Sequence, residues 1–172
     1  MTSKRTIKRI EAKRVRLRDQ LWPDLEEKEL WNRKTAAGFI TIPRTMPLIG
    51  KILNELSEQG ALSSTYLELW CRSHDEAIVE VRSPQENSFF AGFIGQRSVQ
   101  TWTRRMRELQ RLGFIEAESG PWGEFSYVLL WNPHKVISSL VKKKLITLKQ
   151  DSINALKARL NDVGAKDVDG IG

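Results

Sequence analysis

Gln100, Arg104, Arg107 and Arg111 recur at spacings of four, three and four. At about 100° per residue, that spacing sets one amide and three guanidinium groups along one face of a helix. Val99, Trp102, Met106 and Leu109 emerge on the opposite face as an apolar stripe. The chemistry such a row can do is recognition. A guanidinium fork pairs bidentately with a phosphate or a guanine edge, and a glutamine amide pairs with adenine. A helix buried along one side and armed with donors along the other is what a DNA major groove admits. The plainer alternative is an amphipathic helix whose basic face is only solvated. In the recognition reading, Arg97 and Ser98 anchor phosphates, Gln100, Thr101 and Arg104 face base edges, and Arg107 and Arg111 grip the flanking backbone.

A second group of cations lies at the N-terminus. Residues 1–18 hold eight Lys/Arg and a single acidic residue, Glu11, which accounts for the whole formal charge of +7. Basic and acidic groups cancel over the remaining residues. Lys4, Arg5, Lys8, Arg9, Lys13 and Arg14 therefore form a dense arm suited to a polyanion, with a solvated tail as the alternative.

Little else offers chemistry. Cys71 is the only cysteine and the two histidines, His74 and His134, lie far apart, so neither a disulfide nor metal-ligand spacing is available. His74-Asp75-Glu76 has no convergent partners and reads as a turn. No phosphate-binding loop, dinucleotide-binding glycine pattern or nucleophile elbow is present. The expectation is a binding protein with no catalytic residues, no metal and no cofactor. Six tryptophans could stack on bases, but most have apolar neighbours and read as core; only Trp122, between Pro121 and Gly123, reads as exposed. Without an apolar leader stretch or a run of about 18 apolar residues, the expected location is cytoplasmic and nucleoid-associated, with no membrane.

The elements that must position these residues follow from periodicity and turn chemistry. Residues 3–21 read as a helix with Ile7, Ile10, Leu17 and Leu21 inward, broken by Pro23. Thr45 and Pro47 open a helix carrying Leu48, Ile49, Ile52, Leu53 and Leu56, ended by Gly60. Ser64 caps a second helix through Cys71. Ala77–Val81 reads as a strand. Ser83-Pro84 starts a helix that buries Phe89, Phe90 and Phe93, and Gly92 and Gly95 turn the chain before Ser98 caps the basic helix. Phe114–Glu118 and Phe125–Trp131 read as strands of a hairpin closed over Ser119–Glu124. Asn132-Pro133 begins one long helix to about Val163, with Lys142-Lys143-Lys144 on its solvent side and Ile146, Ile153, Leu156, Leu160 and Val163 along a heptad-like seam.

Ser83–Trp131, with Ala91-Gly92, the turn Gly95-Gln96-Arg97, Ser98–Leu112 and the closing Leu109-Gln-Arg-Leu-Gly-Phe-Ile115, resembles the winged helix-turn-helix family of bacterial-type regulators. The resemblance implies a mainly α fold with a small β-hairpin (α+β), and binding of double-stranded DNA by a transcriptional regulator or accessory factor. The chain departs from the family in two respects. The wing has no Arg or Lys and carries Glu118 and Glu124, and Trp102 stands inward where a smaller aliphatic residue is common. The expected organisation is a basic helical extension at 1–43, a winged helix-turn-helix domain at 44–132, a C-terminal helix at 133–164 and a disordered tail at 165–172. The seam of Ile153, Leu156, Leu160 and Val163 is expected to pair two copies into a homodimer. The alternative is an interaction module in a larger assembly, with Trp122 and the terminal helices as protein contacts and any nucleic acid held by the arm alone.

Overall fold

The computed structural model of the chain describes residues 4–143 and 148–165, the side chains of Lys4, Arg5 and Ile7 excepted. Lys144, Ile146 and the proposed tail beyond Ala165 lie outside the described residues. The chain divides into two units, Met1–Phe39 and Ile40–Gly172.

The first unit is built on α1 (Lys4–Leu21), followed by a 3-10 turn at Glu27–Glu29. Arg18 ties the helix end to that turn, donating to Asp19 and to Glu27 at 2.7 Å each. Ile10, Leu17 and Leu21, expected to face inward, are instead exposed. A single helix cannot bury its own stripe, and the turn that follows it is made of charged residues.

The second unit is an α+β structure. Its elements are α2 (Met46–Leu56), α3 (Ser63–Arg72), β1 (Ile78–Glu80), α4 (Pro84–Phe90), α5 (Ser98–Arg111), β2 (Ile115–Gly120), β3 (Gly123–Leu130), α6 (Pro133–Lys142) and α7 (Gln150–Val163). The three strands form an antiparallel sheet in the order β1-β3-β2, with Val79 opposite Val128 and Ile115 opposite Leu130. Ile49, Ile52 and Leu53 of α2, Tyr66 and Leu69 of α3, Trp102, Met106 and Leu109 of α5, and Val128 of β3 fill one core.

Capping decides where several elements begin and end. Ser83 Oγ accepts from the Glu86 N–H, and Asn132 Oδ1 accepts from those of His134 and Lys135, as the sequence predicts. Elsewhere the caps differ from expectation. Neither Ser64 nor any local side chain caps α3; Asn54 Oδ1, reaching across from α2, accepts the N–H groups of Leu62 and Ser63 at 2.8 and 2.9 Å. Thr45 makes no cap because its hydroxyl is paired with the buried His134 Nε2 at 2.6 Å. Ser98 is the first residue of α5 and supplies no side-chain cap. Gly113 (φ 78°) ends that helix: the Phe114 N–H bonds Leu109 O and the Gly113 N–H bonds Gln110 O. This glycine-closed terminus turns the chain directly into β2.

Further corrections concern packing. Phe89 and Phe90 are 65% and 60% exposed, because α4 turns Asn87 and Ser88 inward instead. The C-terminal region is two helices, α6 and α7, not one. Leu156 and Leu160 are buried in the chain's own core, and Ile153 and Val163 are partly buried. Glu55 of α2 holds the start of α7, accepting from the Lys149 N–H and, at 2.7 Å, from Ser152 Oγ. The seam expected to pair two copies is thus covered by α2 of the same chain. It follows that Leu156→Asp destabilises the fold by about 2–5 kcal/mol, as truncation of a buried leucine does. Denaturant unfolding of the full chain checks this; a variant with an unchanged midpoint would return the seam to solvent or to a partner.

Candidate nucleic-acid interface

The interface is built on α5. Trp102 is buried, its ring edge-on to Phe125 of β3 at 5.9 Å, and Met106 and Leu109 continue the buried stripe along the helix. This fixes the rotation of α5 about its own axis. Gln100, Arg104, Arg107 and Arg111 are consequently exposed, as their spacing predicts, and so is Arg97 just before the helix. Ser98 and Thr101 are partly buried on the flank.

The exposed residues are not equivalent. Arg107 spans to the hairpin, donating from Nε and Nη2 to the two carboxylate oxygens of Glu124 at 3.0 and 2.6 Å. Arg111 makes a second two-point pair within the helix, with Glu108 at 2.8 Å for both bonds. Glu108 is buried, and the nearby backbone N–H of Glu58 also favours its charged form. The Arg111 guanidinium holds the Glu108 carboxyl below the usual carboxylate range, and Arg107 does the same for Glu124. Both carboxylates therefore stay charged to a lower pH than an unpaired carboxylate does. Arg107 and Arg111, expected to grip the flanking backbone, are each engaged by a carboxylate of their own chain. Among the described residues, Arg97, Gln100 and Arg104 make no side-chain hydrogen bond or ion pair.

Arg105 is a cation that faces the other way. Its guanidinium lies against Gly60, where an added Cβ would stand 2.8 Å from Nη2, and its Nε and Nη1 are buried with no hydrogen-bond partner. Burial and the neighbouring Arg104 both push its pKa down.

The hairpin turns over Pro121-Trp122, between Gly120 and Gly123, which pair with each other. The Trp122 N–H donates to Ser126 Oγ at 3.0 Å, and that hydroxyl donates to Gly123 O. The Trp122 ring meets Tyr127 edge-on at 6.1 Å, and the Arg82 guanidinium lies 5.6 Å above it. Trp122 is left 37% exposed and already has neighbours within the chain. Arg82 is the cation that the hairpin lacks in sequence. It comes from the segment after β1, where Glu80 stands opposite Tyr127, and it is itself paired with Glu80 at 2.5 Å. Only the pairing of β1 with β3 could have revealed it.

In α1, Lys8, Arg9, Lys13 and Arg14 are exposed, whereas the side chains of Lys4 and Arg5 lie outside the described residues. No group of three or more His, Cys, Asp or Glu side chains among the described residues could hold a metal ion. Likewise, no described helix is long and apolar enough to cross a membrane. Another buried carboxylate network lies at the joint of α3 and α4. Glu68 accepts from Arg72 and, at 3.2 and 3.3 Å, from the buried Asn87, while burial pushes its carboxyl above the ordinary range.

The chain matches no protein-family model, no curated protein and no solved structure.

Glu108 makes the α5 region acid-sensitive. Its folded pKa is below the unfolded value, so its contribution to stability is present above the unfolded pKa and disappears as the pH falls through the folded one. Denaturant unfolding followed from about pH 6 to about pH 3 should show a shallower decline of stability in Glu108→Gln than in the parent chain, across the carboxylate range. Equal slopes would remove Glu108 from the groups that drive acid unfolding.

Proposed function

We propose that the chain is a double-stranded DNA-binding protein, a transcriptional regulator or accessory factor, that uses a winged helix-turn-helix domain over residues 44–132, from α2 to β3. The order helix, strand, helix, turn, helix, two-stranded hairpin, with β3 central in the sheet, supports this reading. The observation that carries it is the outward face of α5. Three polar side chains without partners among the described residues, Arg97, Gln100 and Arg104, stand opposite a stripe that holds the helix rigidly to the sheet.

In this reading Arg104 and Gln100 meet base edges, since an arginine fork suits guanine and a glutamine amide suits adenine. Thr101, partly buried on the flank, faces the same edges, and Arg97 and Ser98 at the N-terminal end of α5 meet the backbone beside them. Arg107 and Arg111 reach phosphates only by exchanging a carboxylate for a phosphate; the exposed pair with Glu124 is weak enough to exchange, whereas Arg111 must leave the buried Glu108. Lys8, Arg9, Lys13 and Arg14 of α1 supply attraction that is independent of sequence. The protein would act in the cytoplasm on the nucleoid, as a binder and not an enzyme.

A second reading, an interaction module within a larger assembly, is favoured by a different observation. Phe89, Phe90 and Ile94 are 65%, 60% and 83% exposed on α4 and the turn after it, an apolar surface that DNA binding alone does not require.

The test begins with selection of bound fragments from a random duplex pool by the full chain. Arg104→Ala should weaken the selected site by about 1–3 kcal/mol and leave random duplex nearly unaffected. Equal weakening on both would reduce Arg104 to a phosphate ligand. Removal of residues 1–18 should weaken every duplex and lower the slope of log K against log salt by about 0.9 for each phosphate that is no longer neutralised. Retained sequence preference after that removal supports the helix as the reader; complete abolition of binding supports the assembly module.

A further inference from the structure

The face of α5 carries its own counter-ions, and the two pairs differ in kind. Glu108 is buried and paired with Arg111 within the helix, so it belongs to the fold. Glu124 is exposed, and among the described residues its side chain hydrogen-bonds to Arg107 alone. The pair joins the C-terminal half of α5 to the turn end of the hairpin, with both side chains about half exposed. The fork of Arg107 is filled through Nε and Nη2, the two-point geometry that a phosphate would otherwise take. No lysine or arginine of the hairpin offsets the charge: Glu116, Glu118 and Glu124 are all exposed there.

We propose that Glu124 is a specificity-determining residue: its carboxylate occupies the guanidinium fork of Arg107 in place of a DNA phosphate, and so weakens binding to arbitrary duplex more than binding to a cognate site. The proposal rests on the reading of α5 as the DNA-binding helix. An arbitrary duplex held only by its phosphates must displace Glu124 from Arg107 and leave that carboxylate beside its own phosphates. Arbitrary sequence gains only the phosphate pairing in exchange. A cognate sequence is also held by Gln100 and Arg104, which do not involve Glu124. The carboxylate therefore subtracts a similar amount from a weak complex and from a strong one only when Arg107 is released in both. Where the base-reading residues already fix the helix in the groove, Arg107 can remain with Glu124 and the penalty is smaller.

The test uses the full chain with Glu124→Gln, Arg107→Ala and both together, measured on a random-sequence duplex and on a fragment selected by the parent protein. Glutamine keeps the shape and removes the charge. On random duplex, Glu124→Gln should bind about five- to tenfold more tightly at about 0.1 M salt, because one additional neutralised phosphate steepens the log K against log salt slope by about 0.9. The gain should vanish when Arg107→Ala is added, and it should be smaller on the selected fragment, so that the ratio between the two sites narrows. An unchanged or weaker affinity of Glu124→Gln for random duplex overturns the proposal and leaves the pair as a strut between helix and hairpin. A gain that survives Arg107→Ala also overturns it, as would equal gains on both duplexes, since either is a general charge effect. If neither the parent chain nor Glu124→Gln binds any duplex, the reading of α5 itself fails, an outcome distinct from a parent chain that binds and a variant that does not differ.

Discussion

Burial of Trp102 against Phe125 determines which side of α5 the solvent sees, and the rest of the second unit is arranged around that pairing. The ring is the largest fully buried side chain among the described residues, and it packs edge-on to a β3 residue in a geometry worth about 0.5–1.5 kcal/mol beyond its area. Its Nε1 makes no hydrogen bond, which costs about 1–3 kcal/mol, so the ring holds its place through apolar packing alone. Met106 and Leu109 extend the buried stripe by two turns, and the glycine-closed end at Gly113 passes the chain into β2 without a loop. Rotation of α5 by one residue would move Trp102 into water and a guanidinium into the core. The outward position of Gln100 and Arg104 is therefore as firmly set as the core itself.

How much of this was legible in the sequence depended on the distance over which each decision is made. Helices whose apolar residues recur at three and four, such as Ile49, Ile52 and Leu53 or Trp102, Met106 and Leu109, were readable because their packing face is encoded locally. Caps were readable where donor and acceptor are neighbours, as at Ser83 and Asn132. They were not where the acceptor belongs to another element, as with Asn54 for α3, or where the hydroxyl is claimed by a residue 89 positions away, as with Thr45 and His134. Phe89 and Phe90 misled for the same reason. An aromatic pair reads as core until Asn87, which lies beside it, is seen to be satisfied by Glu68 on α3. The α7 seam was real, but periodicity shows only that a helix has a face to bury and never which surface buries it. Glu55, holding Lys149 and Ser152, made that choice.

The candidate interface shows the same division more sharply. The sequence revealed which α5 residues face outward, and it revealed the acidic hairpin as an oddity. It could not join the two, because the Arg107–Glu124 pair exists only once the hairpin folds back along the helix. Arg82 lies beyond local reading for a similar reason: its place over Trp122 follows from β1 adding to the far edge of β3.

Charge is consequently organised on two levels. The second unit has about as many acidic as basic groups, and on the face of α5 it sets carboxylates directly on two of the arginines. The first unit holds the excess of cations on a helix where, among the described residues, Arg18 alone is tied to carboxylates. Attraction to a polyanion grows with the number of unpaired cations and takes no account of sequence, whereas discrimination needs donors whose partners are base edges. A chain that concentrated free arginines on its reading helix would gain the first at the expense of the second. In the proposed reading, attraction falls to α1 and discrimination to Gln100 and Arg104, and the carboxylate of Glu124 keeps the two separate.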